Sequence, residues 1–275
     1  MTFIDAWNLA FPPLLLVLVL VCGVLSAIGF YKFVYFLSIG YGLAISGIGI
    51  TLILMFSKSL SLGCLVQCLL FFLYGIRLSG FLIVREIKSL SYRKTLEETT
   101  KTEKPMPIFV KFAIWISVIT LYVAQTSPVF YRLLNNLQQG VMPWIGALIM
   151  AVALIIETIS DMQKSAAKKK EPRRFCDIGL YKFVRCPNYF GEILFWTGVI
   201  ISGFGALQGA WQWIVAILGY ILIIYVMFSG AKRLEIRQSK SYGQCEEYQA
   251  YISKTPILLP FIPLYSLIGW GFIKI

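Results

Sequence analysis

The chain consists largely of long apolar runs separated by short polar or basic connections. Seven such runs can be read at approximately 11–30, 33–56, 60–84, 108–131, 143–161, 187–203 and 211–229. A transmembrane helix needs about 20 predominantly apolar residues, and a helix satisfies its own backbone hydrogen bonds where lipid offers no partner. The pattern therefore predicts an all-α polytopic integral membrane helix bundle of about seven transmembrane helices in a single membrane domain. The last segment, 258–275, is broken by prolines and predicts a packed or interfacial stretch.

Basic residues are concentrated in alternate connections. Seven lie between Arg85 and Lys111, eight between Lys164 and Arg185, and five in the tail, whereas the intervening connections hold only Lys58 and Arg132. Cytoplasmic loops carry the excess of Lys and Arg. The net charge of +12 thus predicts topology, with the N-terminus outside and the C-terminus in the cytoplasm, and not a nucleic-acid partner. A bacterial inner membrane and an endoplasmic reticulum membrane both fit this pattern.

The absence of histidine excludes several kinds of catalytic site. The chain has no His, and its 6 Cys lack metal-like spacing, so His-ligated iron, haem and zinc centres are excluded and no metal is expected. Proton transfer must then depend on tyrosine, carboxylates, lysine, cysteine or water.

The stretch from Arg173 to Gly203 combines a basic loop with an apolar helix that opens on polar side chains. Asn188, Tyr189 and Glu192 lie at the start of this helix. A second polar face closes the fifth run, where Glu157, Asp161 and Lys164 follow at i, i+4 and i+7. Ionisable groups at membrane depth usually mark functional sites, so we expect a site at the water–lipid boundary near the cytoplasmic face.

The third run carries an arginine within its apolar sequence. Tyr74 and Arg77 are spaced i, i+3 and share one helical face with Phe81. An arginine at this depth normally faces a bundle interior or an aqueous cavity. Two interpretations stay open: both side chains line one cavity, or Arg77 is a structural anchor paired with a carboxylate.

Several motifs resemble the steroid 5α-reductase family in its broad sense, especially its bacterial DUF1295 branch. They are YGIRLSGFLIVR (74–85), IIETISDMQK (155–164), GLYKFVRCPNYFGEILFW (179–196), SGAKRLE (229–235) and YGQCEEYQAYISKTPILLP (242–260). The resemblance covers roughly the C-terminal two-thirds. It implies a seven-helix oxidoreductase acting on CH–CH groups, which binds NADPH from the cytosol and reduces a conjugated C=C bond of a lipid-like enone. Helices within 1–104 would form the substrate side and those within 105–275 the cofactor side.

The resemblance also implies roles for particular residues. Tyr74 matches the family tyrosine that binds the substrate carbonyl, and Arg77 accompanies it in a catalytic role. Phosphates require Lys or Arg, while ribose hydroxyls and the carboxamide require other donors and acceptors. The implied cofactor-binding set is Glu157, Asp161, Lys164, Lys168, Arg173, Arg174, Arg185, Asn188, Tyr189, Glu192 and Arg233. The expected partners are the lipid bilayer and a hydrophobic small-molecule substrate, and the protein is expected to be a monomer.

Two departures from the family pattern affect what the resemblance implies. Cys186 occupies the position of the histidine in the family's Arg-His-Pro-Asn-Tyr motif. The adjacent Gln-Glu pair with which steroid enzymes hold the substrate carbonyl is missing before Arg85, where Gln67 stands alone. A steroid substrate therefore does not follow from the resemblance.

Two other functions were weighed. An S-adenosylmethionine-dependent methyltransferase of the isoprenylcysteine carboxyl type has a similar C-terminal motif, but the basic loop suits phosphates better than a zwitterionic cofactor. A non-catalytic lipid-binding scaffold explains the small and aromatic residues. It does not explain the grouping of Asp161, Asn188 and Glu192.

Overall fold

The protein is all-helical over the residues that the computed structural model describes, 3–88, 93 and 107–273. Its α-helices in that part are α1 Phe3–Ala10, α2 Leu14–Ser26, α3 Ile39–Met55, α4 Leu62–Lys88, α5 Ile108–Leu134, α6 Met142–Lys170, α7 Pro187–Ser202, α8 Gly209–Tyr242 and α9 Glu246–Lys254. Short 3₁₀ helices occur at Ala27–Phe30, Phe33–Leu37 and Gly179–Lys182. The predicted all-α class is confirmed.

Five helical segments of the described chain are long and apolar enough to cross a membrane. They are Phe33–Met55, which joins a 3₁₀ turn to α3, and the helices α4, α5, α6 and α8. Leu14–Phe30 is a shorter apolar helix. The 16 residues of α7 reach about 24 Å at 1.5 Å per residue, less than the ~30 Å hydrocarbon core. The integral membrane class is confirmed, while the count of seven spans and the orientation stay predictions.

Two helices continue well past the predicted ends of their apolar runs. The fifth run was expected to end near Asp161, but α6 reaches Lys170. The seventh was expected to end near Ser229, but α8 reaches Tyr242. Both extensions are rich in good helix formers such as Ala, Lys, Arg, Glu and Gln, and Pro172 and Gly243 follow their ends. Hydropathy therefore marks the end of the apolar run and not the end of the helix.

The predicted polar connection Arg85–Lys111 falls mainly on 89–92 and 94–106, outside the described residues. The described ends of that connection are helical, since α4 continues to Lys88 and α5 begins at Ile108.

Close contacts divide the chain into two compact units. The first comprises Met1–Ala147 with Val199–Tyr220, and the second comprises Leu148–Gly198 with Ile221–Ile275. Helices α6, α7 and α8 therefore each contribute to both units. The predicted division into a substrate side and a cofactor side concerns ligands and stays a prediction.

Within the first unit, α3 and α4 pack through small residues. A Cβ atom on Gly75 would collide with the carbonyl oxygen of Gly42, and one on Gly49 would come within 2.5 Å of the Cys68 carbonyl oxygen. Ser79 donates a hydrogen bond from Oγ to the carbonyl of Ile39 at 2.9 Å. Such close backbone approach with polar links between helices is how apolar helices associate where water is absent.

The ends of α5 and α7 meet at the buried side chain of Arg132, which is 2% exposed. Its Nε donates to the carbonyl of Ser202 at 2.6 Å, and its terminal nitrogens donate to Phe204 at 2.7 Å and to Leu137. These carbonyls belong to helix ends and the turns that follow them, where backbone acceptors lack helical partners. The C-terminal ends of helices also carry partial negative charge, so the burial of this cation is compensated.

Replacing Arg132 is expected to destabilise the first unit. Arg132→Met would leave three carbonyls without their charged donor, and each such bond contributes about 1.5–3 kcal/mol. We expect the free energy of unfolding in detergent to fall by about 3–5 kcal/mol. Lys58→Met, which removes an exposed cation from the α3–α4 connection, is the matched control and should change it by less than about 0.5 kcal/mol. A similar small loss for Arg132→Met would contradict this account.

Candidate functional site

The second unit contains all of the residues predicted to bind the cofactor. In this unit α6 and α7 pack closely at Gly191, where a Cβ atom would lie 2.5 Å from Cγ of Glu157 and 3.1 Å from the carbonyl oxygen of Ala153. Glu157 is 2% exposed, and Glu192, the residue after this glycine, is 6% exposed. Trp196 donates a hydrogen bond from Nε1 to Oε1 of Glu192 at 2.9 Å. The structure thus places Glu157 at the contact between α6 and α7 and buries Glu192 on α7.

The start of α7 carries Asn188 and Tyr189, the two other residues of this helix that are predicted to bind the cofactor. The ring of Tyr189 lies over Gly230 of α8, where a Cβ atom would be 3.4 Å from the ring. Asn188 is half-buried, and its Oδ1 is buried without a hydrogen-bond donor among the residues described. A buried amide oxygen without a donor is costly in the protein alone and provides an acceptor for a ligand's N–H or O–H.

The loop before α7 is fastened to α6 beside Asp161 and Lys164. Gly179 has φ 56°, and a Cβ atom there would collide with the side chain of Gln163. Gln163 accepts a hydrogen bond from the backbone N–H of Leu180 at 2.9 Å. Burial raises the pKa of Tyr181 in this loop, and the charge of nearby Asp161 adds to the rise.

Cys186 occupies a closed apolar position immediately before α7. It is 2% exposed and packs in a cluster with Ile193, Ala231 and Leu234. Burial raises the pKa of its thiol to about 11, against an opposing effect of Lys164. At neutral pH the group is therefore a neutral thiol, unlike the titratable histidine that the family motif places here. We conclude that Cys186 is a packing residue.

Arg185 forms a buried ion pair with Glu235 of α8. Their nitrogen and oxygen atoms are 3.2 Å apart, and the side chains are 2% and 4% exposed. Arg185 also donates to the carbonyl of Tyr265, and its backbone N–H donates to Pro256 at 2.9 Å. Glu235 in turn accepts from the backbone N–H of Leu267 at 2.8 Å. Arg185 already has protein partners, and its contact with the cofactor stays a prediction.

Charged side chains also hold the C-terminal segment. Lys232 is 7% exposed and donates from Nζ to the carbonyls of Trp270 and Ile273, both at 2.9 Å. Leu258, Leu267 and Ile273 are buried in the cluster around Cys186. The segment is thus packed against α8 without forming a helix, in agreement with the sequence expectation.

The basic loop after α6 forms one wall of a cleft of about 850 Å³. The cleft is lined by Glu171–Phe175 from this loop and by Lys240–Cys245 and Glu247 from the α8–α9 junction. Lys168 joins the two walls, since its Nζ donates to the carbonyl of Arg174 at 2.5 Å and to the hydroxyl of Tyr242 at 2.7 Å.

Arg174 is also occupied by protein partners. Its terminal nitrogens lie 2.7 and 2.9 Å from the two carboxylate oxygens of Asp177, and one lies 3.4 Å from Glu247. These bonds raise its pKa further above the usual range for arginine. Arg173 and Lys240 differ, because both line the cleft, both are exposed, and neither forms an ion pair within the described part of the chain.

The remaining predicted residues lie elsewhere. Arg233 is exposed on α8 and is not part of the cleft lining. Tyr74 belongs to the first unit, where it is fully buried and makes a T-shaped contact with Tyr41 at 6.0 Å between ring centroids. Arg77 is half-buried, with its guanidinium 6.0 Å from the ring centroid of Phe81.

Several residues that organise this unit were not predicted from the sequence. Lys240 is one of the five cations of the tail, and the partners of Glu235 and Lys232 lie 30 or more residues away along the chain. Hydropathy does not indicate that these residues are buried, because the apolar run ends before them while α8 continues to Tyr242. A continued helical periodicity, with Lys232 and Glu235 at i, i+3, was the available signal.

Breaking the buried ion pair is expected to destabilise the second unit. Glu235→Ala would leave Arg185 charged and buried without its partner, a change that costs about 3–5 kcal/mol. The double variant Arg185→Met/Glu235→Ala should lose clearly less, because no unpaired charge stays buried. Unfolding in detergent measures both. A double variant less stable than Glu235→Ala would contradict the ion-pair account.

The thiols of Cys186 and Cys245 are expected to differ in reactivity. Alkylation requires the thiolate, and Cys186 is both buried and raised to a pKa of about 11, whereas Cys245 is exposed. Iodoacetamide at pH 8 followed by peptide mass spectrometry should label Cys245 and leave Cys186 intact until the protein unfolds. Equal labelling rates of Cys186 and Cys245 in the folded protein would show that Cys186 is accessible to solvent.

The comparisons with known proteins bear on this arrangement. The family model described as "Protein of unknown function (DUF1295)" matches residues 28–255, which include α3 to α9 and the loop before α7. No match was found among curated proteins or among solved structures. The match covers most of the chain and confirms the resemblance inferred from the motifs. The protein is therefore a member of the DUF1295 family.

Proposed function

We propose that this protein is an NADPH-dependent membrane reductase that adds hydrogen across a C=C bond of a lipid-like enone. Membership of the DUF1295 family is consistent with a membrane reductase. The proposed substrate is a hydrophobic small molecule reached from the lipid bilayer, and the proposed cofactor side opens to the cytoplasm.

The observation that carries the proposal is the polar start of α7. Asn188 Oδ1 is a buried acceptor without a donor among the described residues, and a nicotinamide carboxamide offers the N–H group that it lacks. The ring of Tyr189 over Gly230 offers an aromatic surface for a flat ring. Glu157 lies at the contact between α6 and α7 and Glu192 is buried on α7, and carboxylates can accept from ribose hydroxyls. These side chains fit the nicotinamide half of the cofactor.

Phosphate groups are accommodated by the basic loop after α6. Arg173 is exposed there and forms no ion pair within the described chain, and Lys164 completes the polar face of α6. A phosphate-bearing cofactor is favoured over S-adenosylmethionine, because accumulated cations suit phosphate oxygens and repel a sulfonium centre. Lys168, Arg174 and Arg185 serve this loop mainly by holding its backbone and its neighbours in place.

When bound, the cofactor supplies the hydride. The protein must orient the enone and stabilise the negative charge that develops on its carbonyl oxygen. We assign this role to Tyr74, whose phenolic O–H can donate to the oxygen and deliver its proton. Arg77, one turn further along the same face of α4, is assigned to stabilising that charge. Cys186 takes no part in proton transfer, because its thiol stays neutral and enclosed.

Ligand binding to the detergent-purified protein tests the cofactor assignment. A ligand that binds only the folded state raises its apparent stability, so NADPH should raise the melting temperature while S-adenosylmethionine should not. Asn188→Leu should weaken NADPH binding about tenfold, as expected for one lost hydrogen bond in a buried site. Asn8→Leu, which changes an exposed amide on α1 in the first unit, is the matched control. A shift with S-adenosylmethionine alone would refute the proposal.

Activity tests the role of Tyr74. The parent protein with NADPH should reduce at least one lipid enone in a panel that includes steroid, polyprenoid and fatty enones, as measured by loss of NADPH absorbance. Tyr74→Phe keeps the buried ring but removes the O–H, and we expect at least a hundredfold loss of kcat, in the range for general acid catalysis, ~10²–10⁴-fold. NADPH affinity should be unchanged. A variant with parental kcat would remove Tyr74 from the mechanism.

A further inference from the structure

The two walls of the cleft beside the basic loop are held in place by hydrogen bonds and aromatic contacts within the second unit. Lys168 bonds to Arg174 on one wall and to Tyr242 on the other. Phe175 stacks on Tyr251 with ring centroids 5.3 Å apart and contacts Tyr248 at 5.2 Å. The walls are thus held without the participation of Arg173 or Lys240, and the cleft of about 850 Å³ is a feature of the folded unit.

The charged groups of the lining divide into two sets. Glu171 and Glu247 lie 3.9 and 3.4 Å from the guanidinium of Arg174, which opposes their charge. Arg173 and Lys240 are exposed, stand on opposite walls and form no ion pair within the described chain. Two cations that line one cleft without carboxylate partners suit a group with more than one negative charge.

The neutral groups of the lining suit a nucleoside. Tyr242 contributes an aromatic ring, and Ser241 and Gln244 contribute a hydroxyl and an amide. The backbone of Gly243–Cys245 leads into α9, whose first N–H groups carry partial positive charge. An aromatic ring, neutral hydrogen-bonding groups and paired cations together match a purine, a ribose and a phosphate.

We infer that this cleft holds the adenosine end of the coenzyme, with Arg173 and Lys240 in contact with the 2′-phosphate, and that these two residues select NADPH over NADH. The inference rests on the proposed function. A phosphate monoester carries about −1.5 to −2 charges at neutral pH, and NADH has only a hydroxyl at that position. Lys240 is the specificity residue that neither the family motifs nor the polar start of α7 identifies.

Binding constants for the two coenzymes test this inference without reference to a lipid substrate. In the parent protein we expect NADPH to bind at least about tenfold more tightly than NADH, because NADH lacks the phosphate that accepts the charge-assisted hydrogen bonds. Arg173→Gln and Lys240→Gln should each weaken NADPH binding about tenfold and leave NADH binding unchanged. Adenosine 2′,5′-bisphosphate should compete with NADPH in the parent and compete poorly in either variant.

Arg237→Gln is the matched control. Arg237 is an exposed cation of α8 one turn before Lys240 and does not line the cleft. Its replacement removes the same charge and should leave the ratio of the two affinities unchanged, which separates direct contact from general electrostatic attraction.

Each outcome of these binding measurements supports or overturns the inference. Equal affinity of the parent for NADPH and NADH, or an unchanged ratio in both cleft variants, overturns the inference while the reductase proposal stands. If Arg237→Gln lowers the ratio of NADPH to NADH affinity as much as the cleft variants do, the inference is also overturned. If neither coenzyme binds the parent protein, the proposed function fails and the cleft assignment fails with it.

Discussion

The structure depends on one constraint: a backbone N–H or C=O group buried away from water must find a partner. Long helices provide these partners along most of the chain, so backbone groups without helical partners occur at the ends of helices and in non-helical segments. In the first unit Arg132 donates to three carbonyls at and beyond the ends of α5 and α7. In the second, Lys232 and Glu235 bond to the backbone of the C-terminal segment. In both units, buried charged side chains provide the hydrogen-bond partners that these backbone groups need.

This constraint also separates structural from functional charge in the second unit. Lys168, Arg174 and Arg185 belong to the basic set predicted to bind phosphate, yet each has carbonyl or carboxylate partners within the protein. Arg173 and Lys240 do not. Asn188 likewise keeps an acceptor that the described residues leave without a donor. We therefore assign the phosphate contact to Arg173 and Lys240 and the carboxamide contact to Asn188.

Much of the fold could be predicted from the sequence, because lipid forces apolar helices of recognisable length. The runs that became α4, α5 and α7 were located within a few residues of their observed ends, and the PNYFGE motif led to the correct family. The helical extension to Tyr242 and the pairing of Arg185 with Glu235 were not predicted. Hydropathy does not report a polar helix, and partners 50 residues apart leave no local pattern. The cleft was missed for the same reason, since its walls are distant in sequence.

Hydrogen–deuterium exchange of the detergent-purified protein with and without NADPH tests the central claim, that the second unit binds the coenzyme. The account predicts slower exchange on binding at two places: the segments lining the cleft, 171–175 and 240–247, and the start of α7 at 187–192. Protection at both would show one ligand spanning the basic cleft and the polar helix start. Unchanged exchange at both, with saturating NADPH, would contradict the account.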